Sequence, residues 1–271
     1  MHIIIFSDLD GSLLDHADYS YADARPALQM IKTAGIPLVI TTSKTRREVE
    51  AIRKEMGLTA PFIVENGGGV FFPQHDAGEL PGSRRNEGYA VIELGIAYKE
   101  IRDFFHVLKK RFPVRGLGDM SLGEIADRTG LSLTGAAAAK EREFSEPFIL
   151  TADQEIEDIA ELAESHGMKI TSGGRFYHLM DRRQDKGAAV RLVLETYRRH
   201  GEGNLLSIGI GDSDNDRPLL AEVSIPVLIP YPDGSYADIS LPGLVRADAP
   251  GAKGWNDVMQ RIINGLKESN S

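Results

Sequence analysis

Two short stretches of this sequence gather carboxylates: Asp8-Leu9-Asp10-Gly11-Ser12, and Gly211-Asp212-Ser213-Asp214-Asn215-Asp216 some two hundred residues later. Two carboxylates one residue apart repel each other and are costly to hold together unless a proton or a cation lies between them. A divalent cation is the simplest answer for Asp8 and Asp10, although the pair taken alone reads more readily as carboxylates capping a turn before a helix. In the second stretch Asp212, Asp214 and Asp216 have the one, three, five spacing of an EF-hand loop. That reading fails, because Arg217 stands where the sixth position requires Gly and Pro218-Leu219 follow in place of a run ending in Glu. Magnesium, which takes few protein carboxylates and leaves positions for water and phosphate oxygen, suits the acidic set better. Thr41-Thr42-Ser43-Lys44-Thr45 offers hydroxyls and backbone N–H groups at the start of a helix, an anion site or an ordinary N-cap. Lys186, in Asp185-Lys186-Gly187, is either a solvated lysine or a cation able to steady a phosphoryl group among carboxylates.

These residues are informative because of the elements that must carry them. Short apolar runs alternate with amphipathic segments in the first eighty residues, as in parallel βαβ units. Strands are expected at 2–7, 36–41 and 62–65, and helices at 21–34 and 44–57, the second opened by a Thr45/Glu48 capping box and stopped by Gly57. Asn66-Gly67-Gly68-Gly69 then turns the chain back through 70–72. The pattern changes between 83 and 182, where strands at 89–94, 144–150, 169–171 and 175–180 mingle with helices at 98–111, 122–142 and 152–166. The βα pattern resumes with a helix at 186–200, strands at 205–210 and 225–229, and helices at 218–222 and 254–267. The expected fold is therefore α/β: a Rossmann-like parallel-sheet core made of 1–82 and 183–271, interrupted by an inserted α+β domain at 83–182. Asp8, Thr42 and Asp212 each come directly after a core strand, at the sheet end where open α/β folds bind ligands.

Bulk properties narrow the function. With 31 Lys+Arg against 40 Asp+Glu the net charge is −9, which repels nucleic acid and anionic membranes and requires a locally basic pocket for any anionic substrate. The absence of cysteine excludes disulfides, thiolate catalysis and Cys-based zinc sites. No apolar run approaches a membrane span and no signal-peptide pattern opens the chain, so a cytoplasmic location is the expectation.

The Asp8–Ser12 segment, Thr42, Lys186 and the Gly211-Asp212 to Asn215-Asp216 segment resemble the four motifs of the haloacid dehalogenase (HAD) superfamily, in the same order. The insert lies where Cof-like members carry an α/β cap. Thr42-Ser43-Lys44-Thr45-Arg46, Pro61-Phe62-Ile63-Val64-Glu65-Asn66-Gly67, the 140–148 segment and Gly173-Gly174-Arg175-Phe176-Tyr177-His178 are similar to the mannosyl-3-phosphoglycerate phosphatases, over nearly the whole chain. Ser12 departs from the commoner Thr but keeps the hydroxyl, and Asp214 adds a carboxylate inside the fourth motif.

The resemblance implies a phosphatase working through an aspartyl-phosphate. Asp8 is the nucleophile, and Asp10 the acid and base, touching the metal through its backbone carbonyl. Mg2+ is held by Asp8, Asp10 and Asp212 with Asn215 and Asp216 in support, and Thr42 and Lys186 bind phosphoryl oxygens. It also implies Ser43, Lys44, Arg142, Gly174, Arg175 and His178 as substrate-binding residues; a planar guanidinium suits a carboxylate, although without the resemblance each of the arginines and His178 reads more readily as a packing or salt-bridge residue. The expected partner is a small phosphorylated sugar or glycerate-type substrate: mannosyl-3-phosphoglycerate first, glucosyl-3-phosphoglycerate or another sugar phosphate as alternatives. A phosphomutase and a phospho-receiver module are competing readings, the latter opposed by the long insert and by Asp10.

Overall fold

The computed structural model describes residues 2–74, 80–199 and 204–268. In chain order the strands and α-helices are β1 (His2–Ser7), α1 (Arg25–Thr33), β2 (Leu38–Thr41), α2 (Arg46–Met56), β3 (Phe62–Val64), β4 (Gly69–Pro73), β5 (Arg84–Asn86), β6 (Tyr89–Glu93), α3 (Tyr98–Leu108), β7 (Val114–Gly116), α4 (Leu122–Thr129) and α5 (Leu133–Lys140). The remainder are β8 (Ser145–Leu150), α6 (Ile156–Ser165), β9 (Met168–Gly173), β10 (Phe176–Asp181), α7 (Lys186–Arg199), β11 (Leu205–Gly211), α8 (Arg217–Ala221), β12 (Ile225–Leu228), β13 (Val245–Arg246) and α9 (Gly251–Glu268). No described helix is long and apolar enough to cross a membrane. The chain divides into two compact units, one made of 1–42, 59–61 and 186–271, the other of 43–58 and 62–185.

In the first unit five strands run parallel in the order β13-β12-β11-β1-β2. A parallel sheet flanked by helices is buried on both faces, and its central strands are accordingly continuous apolar runs. Ile4, Ile5 and Phe6 of β1 and Ile208 and Ile210 of β11 are fully buried. Helix α1 packs on α9, and α7 on α8. Asn256 of α9 accepts the backbone N–H of Ala27 at 3.0 Å, so a distant side chain satisfies one of the amides that a helix start leaves over. Trp255, also on α9, donates its indole N–H to Ser7 Oγ at 3.0 Å, and Ser7 Oγ donates to the Asp8 carbonyl at 2.7 Å. The C-terminal helix is thereby tied to the end of the first strand.

The second unit holds two antiparallel arrays, β3-β4-β6-β5 and β7-β8-β10-β9. Its apolar core joins Ile101, Phe105 and Leu108 of α3 to Phe148 of β8 and Leu179 of β10. A buried polar hub accompanies it. The Glu65 carboxylate accepts the backbone N–H groups of Glu143 (2.7 Å) and Phe144 (3.1 Å) and the Ser145 hydroxyl (2.7 Å). Glu65 and Asn66 sit at φ of 48° and 56°, a left-handed backbone that non-glycine residues adopt only when the surroundings impose it. Gln184 supplies part of that constraint by donating its amide to the Glu65 carbonyl.

Three departures from the sequence expectations have local causes. The helical stretch expected over 122–142 is broken in two: Gly130 ends α4 in the left-handed region at φ 78°, and Ser132 caps α5 by accepting the Gly135 N–H. The helix expected from 254 starts at Gly251, where the Asp15 carboxylate accepts the backbone N–H of Ala252 at 3.1 Å. Strands β5, β7 and β13 have two or three residues each and show too little alternation to be read ahead of their partners. The expected end of the helix at His200 lies outside the described residues.

Asp119, beside α3, sits 2.6 Å from Arg102 and 2.9 Å from Lys109. Partial burial pushes its pKa up, but hydrogen bonds and charge from Arg102 and Lys109 outweigh it and lower the pKa to about 2. A carboxyl depressed in the folded state stabilises above its unfolded pKa of about 3.9, and that stabilisation is lost as pH falls toward the folded value. The stability gap between the wild type and Asp119→Asn, measured by urea denaturation, should therefore be widest near neutrality and shrink as pH falls from about 5 to about 2. A gap independent of pH would show that the ion pairs contribute nothing.

Candidate active site

The register of the parallel sheet brings the polar strand ends together. Ser7 of β1 lies opposite Ile210 of β11 and Ile40 of β2, and the Asp8 N–H bonds to the Ile210 carbonyl at 2.9 Å. Asp8, Thr42 and Asp212 consequently emerge at one edge, all buried. Gly211 has a specific role in this placement: a Cβ there would fall 2.4 Å from the Asp216 Cβ and Cγ. Its φ is not in the left-handed region, so close approach, rather than a sharp turn, is what excludes a side chain. Asp216 folds back over it, and its Oδ2 accepts the N–H groups of Asp212 (3.0 Å) and Ser213 (3.2 Å).

Lys186 opens α7 with its side chain only 1 % exposed. Its ammonium donates to Asp8 Oδ1 at 2.7 Å and to Asp216 Oδ1 at 2.6 Å. Burial works against the charge on Lys186, but Asp216 and Asp8 outweigh it and keep the amine firmly protonated. For Asp8 the balance goes the other way: burial, with the nearby Asp216 and Asp212 carboxylates adding to it, overcomes the Lys186 attraction and raises its pKa well above the usual carboxylate range. Asp212 is raised as well, by burial first and Asp216 next, against the lowering influence of His16.

One ammonium thus faces three buried carboxylates, a surplus of two negative charges when all are ionised. Oxygen atoms of Asp8, Asp212 and Asp216 lie within 4.8 Å of one another, close enough to share a metal ion. Asp212 Oδ1 is buried and has no hydrogen-bond partner, a cost that a cation would remove. The donors are hard carboxylate oxygens with no thiolate among them, which favours a magnesium-type cation over zinc. The residues present therefore fit a divalent cation.

The remaining residues singled out in the sequence divide between the units. In the first unit, Asp10 pairs with Leu14 in the isolated bridge of the Leu9–Leu14 turn, and Asn215 accepts the Ser213 hydroxyl at 2.7 Å. Asp214 is exposed and 3.4 Å from Arg217, so the extra carboxylate of that segment faces solvent. In the second unit, Lys44 is buried 3.7 Å from Glu48, and Arg142 donates to the Ser43 carbonyl at 2.8 Å with Glu65 3.8 Å away. Gly174 (φ 55°) and Arg175 form the turn between β9 and β10. Arg175 donates to the carbonyls of Arg128 (3.2 Å) and Thr129 (2.6 Å) at the end of α4, and His178 is buried within β10 opposite Pro147 and Thr171. The two guanidinium groups are thus held by different partners. Sequence reasoning passed over Ser7 and Trp255; a lone Ser before Asp8 and a Trp in an amphipathic helix carry no signal of their contact.

Comparison with known proteins identifies the arrangement. Residues 5–81 match the model of haloacid dehalogenase-like hydrolases. A glucosyl-3-phosphoglycerate/mannosyl-3-phosphoglycerate phosphatase from Persephonella marina is 49% identical over 265 residues, 98% of each chain. The chain belongs to this phosphatase family of the haloacid dehalogenase superfamily. A protein of the same name from Methanococcoides burtonii is 41% identical, covering 97% of this chain and 98% of its own. The fold is shared with a HAD phosphatase from Bacteroides thetaiotaomicron, at a TM-score of 0.66 and 18% identity over 96% of this chain and 95% of that one. The protein is accordingly a HAD hydrolase of phosphoric monoesters, with a Rossmann-like parallel core and a cap.

Removing the central ammonium should be expensive. Breaking a buried ion pair on one side typically costs about 3–5 kcal/mol, because the partner charge stays buried and uncompensated. Lys186→Met should lose stability of that order by urea denaturation in the presence of a chelator. A loss below about 1 kcal/mol would mean that the carboxylates are neutral without Lys186.

Proposed function

We propose that this protein is a magnesium-dependent phosphatase that releases phosphate from hexosyl-3-phosphoglycerates, the mannosyl and glucosyl forms, through an aspartyl-phosphate on Asp8. The observation that carries this reading is the buried Asp8 carboxylate, held 2.7 Å from Lys186 at the end of β1 with Asp212 and Asp216 beside it. The substrate class rests on the names borne by the Persephonella and Methanococcoides relatives, which include both sugars.

In this mechanism Asp8 attacks phosphorus in line, expelling the C3 oxygen of the glycerate, and water then cleaves the acyl phosphate. Asp10 gives a proton to the leaving oxygen and takes one from the attacking water. Lys186, still protonated between its two carboxylates, and Thr42 hold the non-bridging oxygens, so charge developing on the phosphoryl group meets fixed donors. Asp8, the Asp10 carbonyl and Asp212 would hold the magnesium, with Asn215 and Asp216 in support. When bound, the cation would supply positive charge that screens the carboxylate from the phosphate. Asp216 fixes Lys186 with one oxygen and the backbone of Asp212 with the other, so one side chain sets the position of both.

We assign recognition of the group carrying the phosphate to the cap, residues 83–182, with Arg142, Gly174, Arg175 and His178, and to Ser43 and Lys44. Arg175 donates to the α4 carbonyls through Nη1 alone, so its other guanidinium nitrogens can serve a glycerate carboxylate or sugar hydroxyls.

Phosphate release from mannosyl-3-phosphoglycerate, glucosyl-3-phosphoglycerate and simple hexose phosphates, with magnesium or with a chelator, tests this reading. Turnover should favour the two glycerate esters and require the cation, and Asp8→Asn should lower kcat by a factor on the order of 10⁶ while leaving the fold intact. Near-normal turnover by that variant would remove Asp8 from the nucleophile role. Arg175→Ala should lower kcat/KM for the glycerate esters by roughly 10- to 100-fold, the value of one charge-assisted hydrogen bond, and leave hexose phosphates unaffected. Equal effects on both classes would deny Arg175 a part in recognition.

A further inference from the structure

His16 belongs to none of the strand-end segments, yet it reaches the same carboxylates. The chain leaving β1 turns tightly: Ser12 and Leu14 N–H groups both bond to the Leu9 carbonyl, at 3.1 and 2.8 Å, and the Gly11 N–H bonds to the Leu14 carbonyl at 2.9 Å. Asp15 anchors the next stretch of chain. Its carboxylate accepts the Ala252 N–H at the start of α9, its N–H bonds to the Ser20 carbonyl, and its carbonyl accepts the Tyr19 N–H. With residues 9–15 and 19–20 fixed on both sides, His16 projects from a rigid loop. Its Nε2 lies 3.5 Å from Asp212 Oδ2.

The approach depends on residue 11. A Cβ on Gly11 would fall 2.4 Å from His16 Nε2 and 2.6 Å from Asp212 Oδ2, so the imidazole and the carboxylate meet over a backbone that has no side chain. Gly11 is also at φ +79°, a conformation that favours glycine independently.

Asp212 is therefore constrained from two directions. Its backbone N–H is fixed by Asp216 Oδ2, and its own Oδ2 faces His16. Oδ1, the other oxygen, is buried without a hydrogen-bond partner. A carboxylate free to rotate would present either oxygen, or neither, to a cation; one with the His16 imidazole nitrogen 3.5 Å from Oδ2 presents Oδ1.

We propose that His16 is a positioning residue for the metal site: it orients the Asp212 carboxylate through Oδ2 so that Oδ1 faces the divalent cation. The inference rests on the cation reading of the Asp8–Asp212–Asp216 cluster and adds to it a group from outside the three strand-end segments and Lys186. Loss of such an outer partner of a metal ligand typically weakens metal affinity 10- to 100-fold.

The test is a calorimetric titration of chelator-treated, phosphate-free protein with MgCl2, comparing the wild type, His16→Ala and His16→Gln at fixed pH and salt. The wild type should bind one ion. His16→Ala should raise the Mg2+ Kd by about 10- to 100-fold, and His16→Gln, whose amide nitrogen reaches about as far as Nε2, should recover most of that loss. An unchanged Kd in His16→Ala overturns the proposal while leaving the cation reading standing. A tighter Kd in that variant also overturns it, since it would mean that the imidazole merely occupies the place of the cation. No Mg2+ binding by the wild type overturns both.

Discussion

A single buried ammonium organises this protein's chemistry. Lys186 bonds to Asp8 on one side and Asp216 on the other, with its side chain 1 % exposed. Burying one charge is costly, and burying three carboxylates against one ammonium leaves an imbalance that hydrogen bonds alone do not cancel. That imbalance shows in Asp8 and Asp212, both raised by burial and by Asp216, with Asp212 adding to the rise at Asp8. Two positive charges would restore balance, which is the electrostatic case for a divalent cation.

The sheet exists, in functional terms, to hold that imbalance in place. Parallel pairing of β1 with β11 fixes Asp8 against the start of the Asp212 segment, and pairing with β2 brings the Thr42 end alongside. The fit is close enough that two glycines are obligatory for different reasons. Gly211 makes room for the returning Asp216, whereas Gly11 turns through positive φ and leaves space above its backbone. The path from Trp255 through Ser7 to the Asp8 carbonyl extends the control to α9, at the far end of the chain. Rigidity of this kind suits a catalyst that works by placing charge before the substrate arrives.

Much of this was legible in the sequence because parallel α/β folds place ligands at strand ends, so Asp8, Thr42 and Asp212 could be named from position alone. Their neighbours were harder. Lys186 taken alone read more readily as a solvated lysine, and the structure buries it between Asp8 and Asp216. Asp214 and Asp216 looked alike on paper, yet one faces solvent beside Arg217 and the other is fully buried. The break between α4 and α5 was missed because an Ala-rich stretch reads as continuous helix, although Gly130 and Ser132 hold the stop and the cap. The Ser7–Trp255 contact joins residues 248 positions apart and leaves no periodic trace. Arg175 carries a signal of charge but not of its partners, the carbonyls that end α4.

The most direct measurement of the central claim is anomalous diffraction from crystals of the wild-type protein grown with Mn2+ in place of Mg2+. The expected result is one strong peak bonded to carboxylate oxygens of Asp8 and Asp212, with Lys186 still bridging Asp8 and Asp216. A cluster without a peak, or an ion bound elsewhere while these carboxylates stay bare, would contradict the claim that their surplus charge is there to hold a divalent cation.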